Sequence, residues 1–340
     1  MRKGAKAQYR PLHTAQAKGI ARQQAPERVS MNTELAEKLC DLNNRFYRTW
    51  ASSFSDTRHN AWPGWQRCLE EMKISAPNHE QAQTIHNAGA DASNTSQTTH
   101  TASIGSVPQR IASKEHGERI AFTSDIDVRS MKLRLLDVAC GNLRYEAFLA
   151  RSLPACTITV QALDACEELP SNSVTLPLNT TVNFRQCDVI KELIAGNLSS
   201  TLCTGEQADL AVSFGFMHHI PLPSWRRAFI KALVDAAAPE GYLCLSFWRF
   251  LSNEGLALKA NETTAKGIVE LGFDEHQFEN GDCLLGWKNE PGAYRYCHSF
   301  SEKEIDTLIA SVSEKAKVIA RFRSDGRSGD MNEYLVLQKT

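Results

Sequence analysis

No apolar run in this 340-residue chain approaches the ~18–20 residues needed to cross a bilayer. The amino terminus carries charge without an apolar stretch behind it, which argues against a secretory signal. Excess charge is missing too: 38 Lys and Arg stand against 39 Asp and Glu, a formal net of −1. No global field therefore draws the chain to nucleic acid, and any polyanion has to be held by a local patch. Ten cysteines are present, but no C-x-x-C and no repeated spacing. That excludes the usual patterns of a disulfide framework and of a zinc site. Cys140 and Cys244 sit inside apolar runs, where Cys behaves as a small hydrophobe. Reduced cysteines point to a cytoplasmic protein, and no metal is expected.

Large apolar residues are scarce in two stretches. Residues 1–30 are basic, rich in Gln and Ala, and expected to be disordered. The apolar face that an organellar transit peptide needs is thin here. The simpler expectation is that Met31 is the true start, or that what precedes it is a loose tail. From 75 to 121 there is no Leu and no aromatic residue. Such a segment buries too little to offset its ordering entropy, so 75–127 reads as a disordered insertion. Between the two, residues 31–74 read as a helical cap. Leu35, Leu39, Leu42, Phe46, Trp50 and Phe54 recur every three or four residues on one face. An aromatic-rich loop from Phe54 to Trp65 follows, and Pro63 suits the first turn of a short helix.

The segment 128–340 alternates strand and helix signals. Strands are expected at Leu133–Val138, Ile158–Leu163, Val182–Arg185, Leu210–Phe214 and Tyr242–Trp248, the last entered through Pro239-Glu240-Gly241. Helices are expected from about Ser224, as cap, to Ala237, and from Ser301 to Val312. Residues 249–300 break the rhythm and read as a substrate-shaping insertion. Two late strands, Val318–Phe322 and Glu333–Leu337, are joined by a loop too short for a crossover helix, so they pair antiparallel. The fold class is α/β: a doubly wound, seven-stranded, mostly parallel, Rossmann-like sheet with its last strand antiparallel and an N-terminal helical cap.

The chemistry gathers where the first strand ends. Leu133 to Val138 runs into a small-residue turn, Ala139-Cys140-Gly141, and a helix signal begins near Asn142. A dinucleotide site would place glycines through this turn, with helix amides on a pyrophosphate. Only Gly141 is glycine; Ala139 and Leu143 hold the other positions. A ligand without phosphates needs no such cradle. Asp137 at the strand end offers a charge for an ammonium group. Asp164, after strand two, offers two oxygens to the hydroxyls of a ribose. Asp188, after strand three, can accept from an adenine amine. Three acids at successive strand ends favour adenosine joined to an amino acid.

These motifs resemble the class I S-adenosylmethionine-dependent methyltransferases. Leu135-Leu136-Asp137-Val138-Ala139-Cys140-Gly141-Asn142 is similar to their first motif. Asp164, Cys187-Asp188-Val189, Gly215 to Pro221 and Ala238 to Gly241 are similar to the later ones. Phe54-Ser-Asp-Thr-Arg58 with Trp62-Pro63, the pair His218-His219, Gly281-Asp282 ahead of Trp287, and Tyr294-Arg-Tyr-Cys-His298 resemble more narrowly the tRNA wobble-uridine carboxymethyl methyltransferases and their bacterial relatives. The resemblance implies S-adenosylmethionine as cofactor, held by Arg58, Asp137, Ala139, Cys140, Gly141, Asp164, Cys187, Asp188, Val189, Ser213, Phe214 and Gly215. It implies methyl-ester formation on a carboxymethyl uridine in tRNA, with a small activator protein as partner in eukaryotes.

A carboxylate acceptor has no proton to lose, and needs only its second oxygen held, which suits an arginine. Arg295 is the first candidate and Arg58 the second. His218 and His219 stand where the acceptor meets the methyl group, and would serve as base for a hydroxyl or amine. Trp62, Tyr296 and His298 are the expected substrate-binding residues. Two other functions fit the residues: a small-molecule O- or N-methyltransferase, and a non-catalytic cofactor- or partner-binding module. A positive face built from Arg295, Arg321, Arg323 and Arg327 would favour tRNA. A cleft blocked at Leu143 would favour the non-catalytic module.

Overall fold

The structure, a computed structural model, describes residues 30–74, 131–171, 175–203 and 205–340. The basic extension up to residue 29 and the insertion over 75–127 lie outside the described residues. The elements, in chain order, are α1 (Thr33–Ser55), α2 (Pro63–Glu71), β1 (Lys132–Val138), α3 (Arg144–Ser152), β2 (Thr157–Asp164), β3 (Thr180–Gln186), α4 (Val189–Ile194), β4 (Ala208–Ser213), α5 (Pro223–Ala236), β5 (Ala237–Trp248), α6 (Glu254–Leu271), β6 (Asp282–Gly286), β7 (Tyr294–His298), α7 (Glu302–Ala310), β8 (Ala316–Ser324) and β9 (Asn332–Lys339).

Seven strands form one sheet in the order β3-β2-β1-β4-β5-β9-β8. β1 to β5 are parallel, and β9 runs antiparallel between β5 and β8. This is the expected doubly wound α/β sheet with its antiparallel last strand. β4 is buried along its whole length, as a near-continuous apolar strand covered on both faces must be. The strand order reverses direction between β1 and β4. That switch point opens a crevice beyond the carboxyl ends of both strands.

Asn32 caps α1 by accepting from Leu35 N at 2.8 Å. The helix does not lie on the large sheet. Leu35, Leu39 and Leu42 pack in one cluster with Leu284, Tyr294 and Tyr296 of β6 and β7, which form a separate two-stranded antiparallel sheet. Asn43 fixes this contact: its amide donates to Tyr296 O at 3.2 Å and its carbonyl accepts from Tyr296 N at 2.8 Å. The hairpin and α6 fill the region that the sequence leaves without a rhythm. α6 buries only Ala260 and Gly267 and exposes Leu258 and Val269, so no apolar stripe marks it.

Two local expectations need correction. α5 starts at Pro223, with Leu222 rather than Ser224 as cap and no side-chain cap bond; Pro at the first helical position leaves one amide fewer to satisfy. β5 starts at Ala237, so Pro239-Glu240-Gly241 lies within it, at a break in its register with β4.

Arg226 of α5 is buried and donates from Nε to Ile220 O at 2.8 Å and from Nη2 to Pro221 O at 2.9 Å. It thereby holds the loop that follows His218 and His219. Asp325 does similar work for α2. It accepts from Gly64 N at 3.0 Å, Asn332 Nδ2 at 2.7 Å and the Tyr334 hydroxyl at 2.5 Å. A Cβ on Gly64 would lie 2.2 Å from the Tyr334 ring. In an open helix Gly→Ala gains about 0.5–1 kcal/mol. Here Gly64→Ala is expected to destabilise by about 1–3 kcal/mol through overpacking, read as a lower midpoint in thermal unfolding.

Candidate active site

The crevice at the switch point is a cavity walled by the β1 turn, the ends of β2 and β3, residues 214–219, and α1 with the loop behind it. Arg58, Asp137, Ala139, Cys140, Gly141, Asp164, Cys187, Asp188, Val189, Phe214 and Gly215 all line it, as do Trp62, His218, His219 and Arg295. These residues, from six separate stretches of chain, thus converge. Ser213 does not reach the cavity. Its hydroxyl donates to Val138 O at 2.8 Å and ties β4 to β1.

The turn after β1 has left-handed backbone at Ala139 (φ 65°), Gly141 (φ 57°) and Leu143 (φ 58°). These are the three positions of the glycine-rich spacing, although only one is glycine. A Cβ built on Gly141 meets nothing within 4 Å, so space is open there for a ligand. Leu143 is the N-cap of α3. Its side chain is buried with Trp65, Tyr145 and Leu149 and does not line the cavity. The left-handed conformation costs about 1–2 kcal/mol, and burying the leucine offsets it by about 1.5–3 kcal/mol. The cleft is therefore not blocked at Leu143.

Asp164 anchors the turn. Gly141 N donates to its Oδ2 and Cys166 N to its Oδ1, both at 2.9 Å. Burial pushes its carboxyl up to about 6, although those amides pull the other way. Asp188 caps α4, accepting from Lys191 N at 3.2 Å, and its other oxygen accepts from Asn44 Nδ2 at 2.8 Å. The loop carrying Arg58 is clipped to the turn, since Asn142 Nδ2 donates to Arg58 O at 3.1 Å. The Arg58 guanidinium lies 4.6 Å from the Phe54 ring centre. Burial, and then the neighbouring Arg295, lower its pKa.

Arg295 lines the same cavity. Its guanidinium carbon lies 5.2 Å from Phe46, 5.8 Å from Phe54, 5.6 Å from Trp248 and 5.5 Å from Trp287, measured to ring centres. Nε has no hydrogen-bond partner, and no carboxylate pairs with the guanidinium among the described residues. His218 stacks on Trp248 at 4.1 Å, and its Nδ1 is buried without a partner. Burial holds His218 well below the usual imidazole range and His219 at about 3, so both are neutral near pH 7. The network assigns the His219 proton to Nδ1, which donates to Tyr296 O at 2.9 Å, while Nε2 accepts from the Tyr47 hydroxyl at 2.8 Å.

Tyr296 and His298 are corrections: neither lines the cavity. Side chains alternate along a strand, so Arg295 and Cys297 share one face of β7 and Tyr296 and His298 share the other. There the Tyr296 hydroxyl donates to Asp282 at 2.6 Å, and the His298 ring nitrogens lie 2.7 Å from Asp282 and 2.8 Å from Glu304. The donor atoms of His218, His219 and Cys297 lie within 4.8 Å of one another. Both nitrogens of His219 are already engaged, and burial raises the Cys297 thiol to about 12, so the trio is not prepared for a metal.

Several lining residues escape the expectations from sequence, among them Asn43, Asn44, Tyr47 and Arg144. Asn43, Asn44 and Tyr47 interrupt the apolar stripe of α1, and that interruption is the signal that could have found them. Arg144 opens α3, lies over Trp62 at 4.7 Å and donates to Asn60 O at 2.9 Å. Burial lowers its pKa to about 10.

No known family model matches the chain, and no curated protein matches it. Solved structures do align with it. An S-adenosylmethionine-dependent methyltransferase from Methanosarcina mazei aligns over 61% of this chain and 92% of its own, at 18% identity and a TM-score of 0.46. CalS10, an amino pentose methyltransferase from Micromonospora echinaspora, aligns over 61% and 84%, at 16% identity and a TM-score of 0.37. The N-methyltransferase NodS from Bradyrhizobium japonicum aligns over 61% and 78%, at 14% identity and a TM-score of 0.36. At these identities and scores the alignments carry no inference about what this chain binds, and the site itself has to be read.

Proposed function

We propose that the chain is an S-adenosylmethionine-dependent methyltransferase whose acceptor is a carboxylic acid. The cavity carries charge of both signs: Asp137, Asp164 and Asp188 line it together with Arg58, Arg144 and Arg295. The acids suit an ammonium group, a ribose and an adenine amine, and the open space at Gly141 lets the ligand approach the backbone. The observation that carries the acceptor class is Arg295. A guanidinium buried among four aromatic rings without a carboxylate partner lacks its counter-ion, and a substrate carboxylate supplies one in bidentate geometry.

S-adenosylmethionine supplies a methyl group that its sulfonium already makes electrophilic. What remains for the protein is alignment and exclusion of water. Arg295 would grip both carboxylate oxygens with its planar fork, leaving a free lone pair on one of them to attack the methyl group. Neutral His218, flat against Trp248, forms a wall rather than a charge. No proton has to move. At saturating substrates kcat is therefore expected to stay level from about pH 6 to 8, with no histidine inflection. An amine acceptor that has to lose its own proton before attack would instead give a rate that rises with pH.

A carboxymethyl uridine in tRNA would make the same contact with Arg295, and it is with this acceptor that an activator protein is implied. Less supports this finer reading. Arg321 pairs with Asp306 and Glu333, Arg323 pairs with Glu302, and Arg295 lies in the cavity, so the expected cationic face is largely neutralised. The test is transfer of labelled methyl groups to a small-acid extract and to tRNA. Label released by alkali as methanol marks an ester, and the fraction carrying it identifies the acceptor class. Alkali-stable label in both fractions would sink the carboxylate reading.

A further inference from the structure

One acid at the site has no role so far. Glu146 lies on α3 directly behind Asp137 and is fully buried. Apart from its own backbone N–H, no donor among the described residues reaches either of its oxygens. Among the described residues the side chain that faces it is the Asp137 carboxyl, with which it shares a side-chain contact. Two bare carboxylates cannot satisfy each other. A proton between them can, and like charges this close do not both ionise. Burial accordingly raises both groups above the ordinary carboxylate range.

The surroundings offer no other remedy. Asp164 at the end of β2, Cys140 of the turn and Tyr145 of α3 face the pair, with Cys68 of α2 and Cys244 of β5 beyond Tyr145. None of these is basic. Asp137 itself lines the cavity and Glu146 does not. The pair is therefore open to a ligand on one side only.

We propose that Glu146 is the proton partner of Asp137: with no ligand bound the two carboxyls share one proton, and a ligand that brings an ammonium group to Asp137 discharges that proton to solvent. The balance is simple. The pair passes from one negative charge to two, the ligand ammonium compensates one of them, and one proton leaves to the buffer. No covalent bond changes. Glu146 is thus a positioning residue, acting through Asp137. The proposal rests on reading the cavity as an S-adenosylmethionine site. It adds that affinity for the cofactor rises with pH, about tenfold per unit, for as long as the pair still holds its proton.

Calorimetry near pH 7.5 in buffers of different ionisation enthalpy counts the protons. S-adenosylhomocysteine carries the ammonium group, and methylthioadenosine lacks the whole amino-acid arm. Release of about one proton is expected with the first and none with the second. His218 and His219 are already neutral at that pH and contribute nothing. Asp164, raised to about 6, is mostly ionised, and it faces both ligands equally. Glu146→Gln is expected to bind S-adenosylhomocysteine without proton release, because the glutamine amide donates to Asp137. If that variant does not fold, the difference between the two ligands on the native protein still decides. Binding of S-adenosylhomocysteine with no buffer dependence would overturn the proposal and leave the cofactor reading standing. Failure of both ligands to bind would overturn the cofactor reading, and this proposal with it.

Discussion

Replacing Arg295 by Gln is expected to lower kcat/KM for a carboxylic acid acceptor by about 100-fold or more, which is about 3 kcal/mol of lost contact. Affinity for S-adenosylhomocysteine is expected to stay within about twofold, because the residues that would hold it are the acids at the ends of β1, β2 and β3 and not Arg295. The effect is large because the guanidinium is already desolvated. Four rings enclose it and none of the described carboxylates pairs with it, so it pays little further desolvation when the substrate arrives. Arg295→Lys is expected to recover little. A lysine keeps the charge but loses the planar fork that holds two oxygens at once. The same burial predicts an opposite effect on stability. An unpaired buried cation is unfavourable in the empty protein, so Arg295→Met should raise the unfolding midpoint while abolishing transfer. Steady-state kinetics and thermal unfolding on the same variants separate the two effects. Unchanged kcat/KM in Arg295→Gln would remove the ground for a carboxylate acceptor.

The second large effect is expected at Asp164. Asp164→Ala should weaken S-adenosylhomocysteine binding by about 100-fold or more. Two charge-assisted bonds to the turn and the ribose acceptor are lost together, each about 1.5–3 kcal/mol. The amides of Gly141 and Cys166 both depend on this carboxylate, so the turn loosens as well. Asp164→Asn should be only partly better, since its amide nitrogen would face one of those N–H groups, donor against donor. The pH dependence has a defined sign. The ionised carboxylate accepts from the amides of Gly141 and Cys166 and would accept from the ribose, and its folded pKa is raised to about 6. Affinity for methylthioadenosine should therefore be level above about pH 6 and fall below it, approaching tenfold per unit. Calorimetric titration of this ligand between about pH 5 and 8 reads Asp164 without the Asp137–Glu146 pair. A level profile down to pH 5 would remove Asp164 from ligand binding.

Much of the acidic set was legible because its signals are local. A strand end followed by a small-residue turn brings Asp137 and Gly141 within five residues of chain, and the spacing of alternate strands and helices places Asp164 and Asp188 at neighbouring ends. The cationic residues were legible only as residue types. Arg295 reads as one arginine among many until Phe46, Phe54, Trp248 and Trp287 close around it, and those rings come from three distant stretches. The β6–β7 hairpin stayed hidden because β7 is buried along its whole length, so no alternation of polar and apolar residues marks it. Its partner α6 exposes leucine and valine and buries glycine, the reverse of the usual helical signal.

The sequence by itself determined the doubly wound sheet, the position of the turn and the three acids beside it, because strand periodicity and turn chemistry act over a few residues. Only the tertiary structure decided which side chains enter the cavity. Alternation along β7 separates Arg295 from Tyr296 and His298, but which face looks inward is set by the packing of α1 and its Asn43 against the hairpin. Leu143 is a similar case: left-handed backbone is a local cost, and only the core that α3 packs against shows where the leucine goes. The pairing of Asp137 with Glu146 is the last such case, since it needs one turn of α3 laid back across the end of β1.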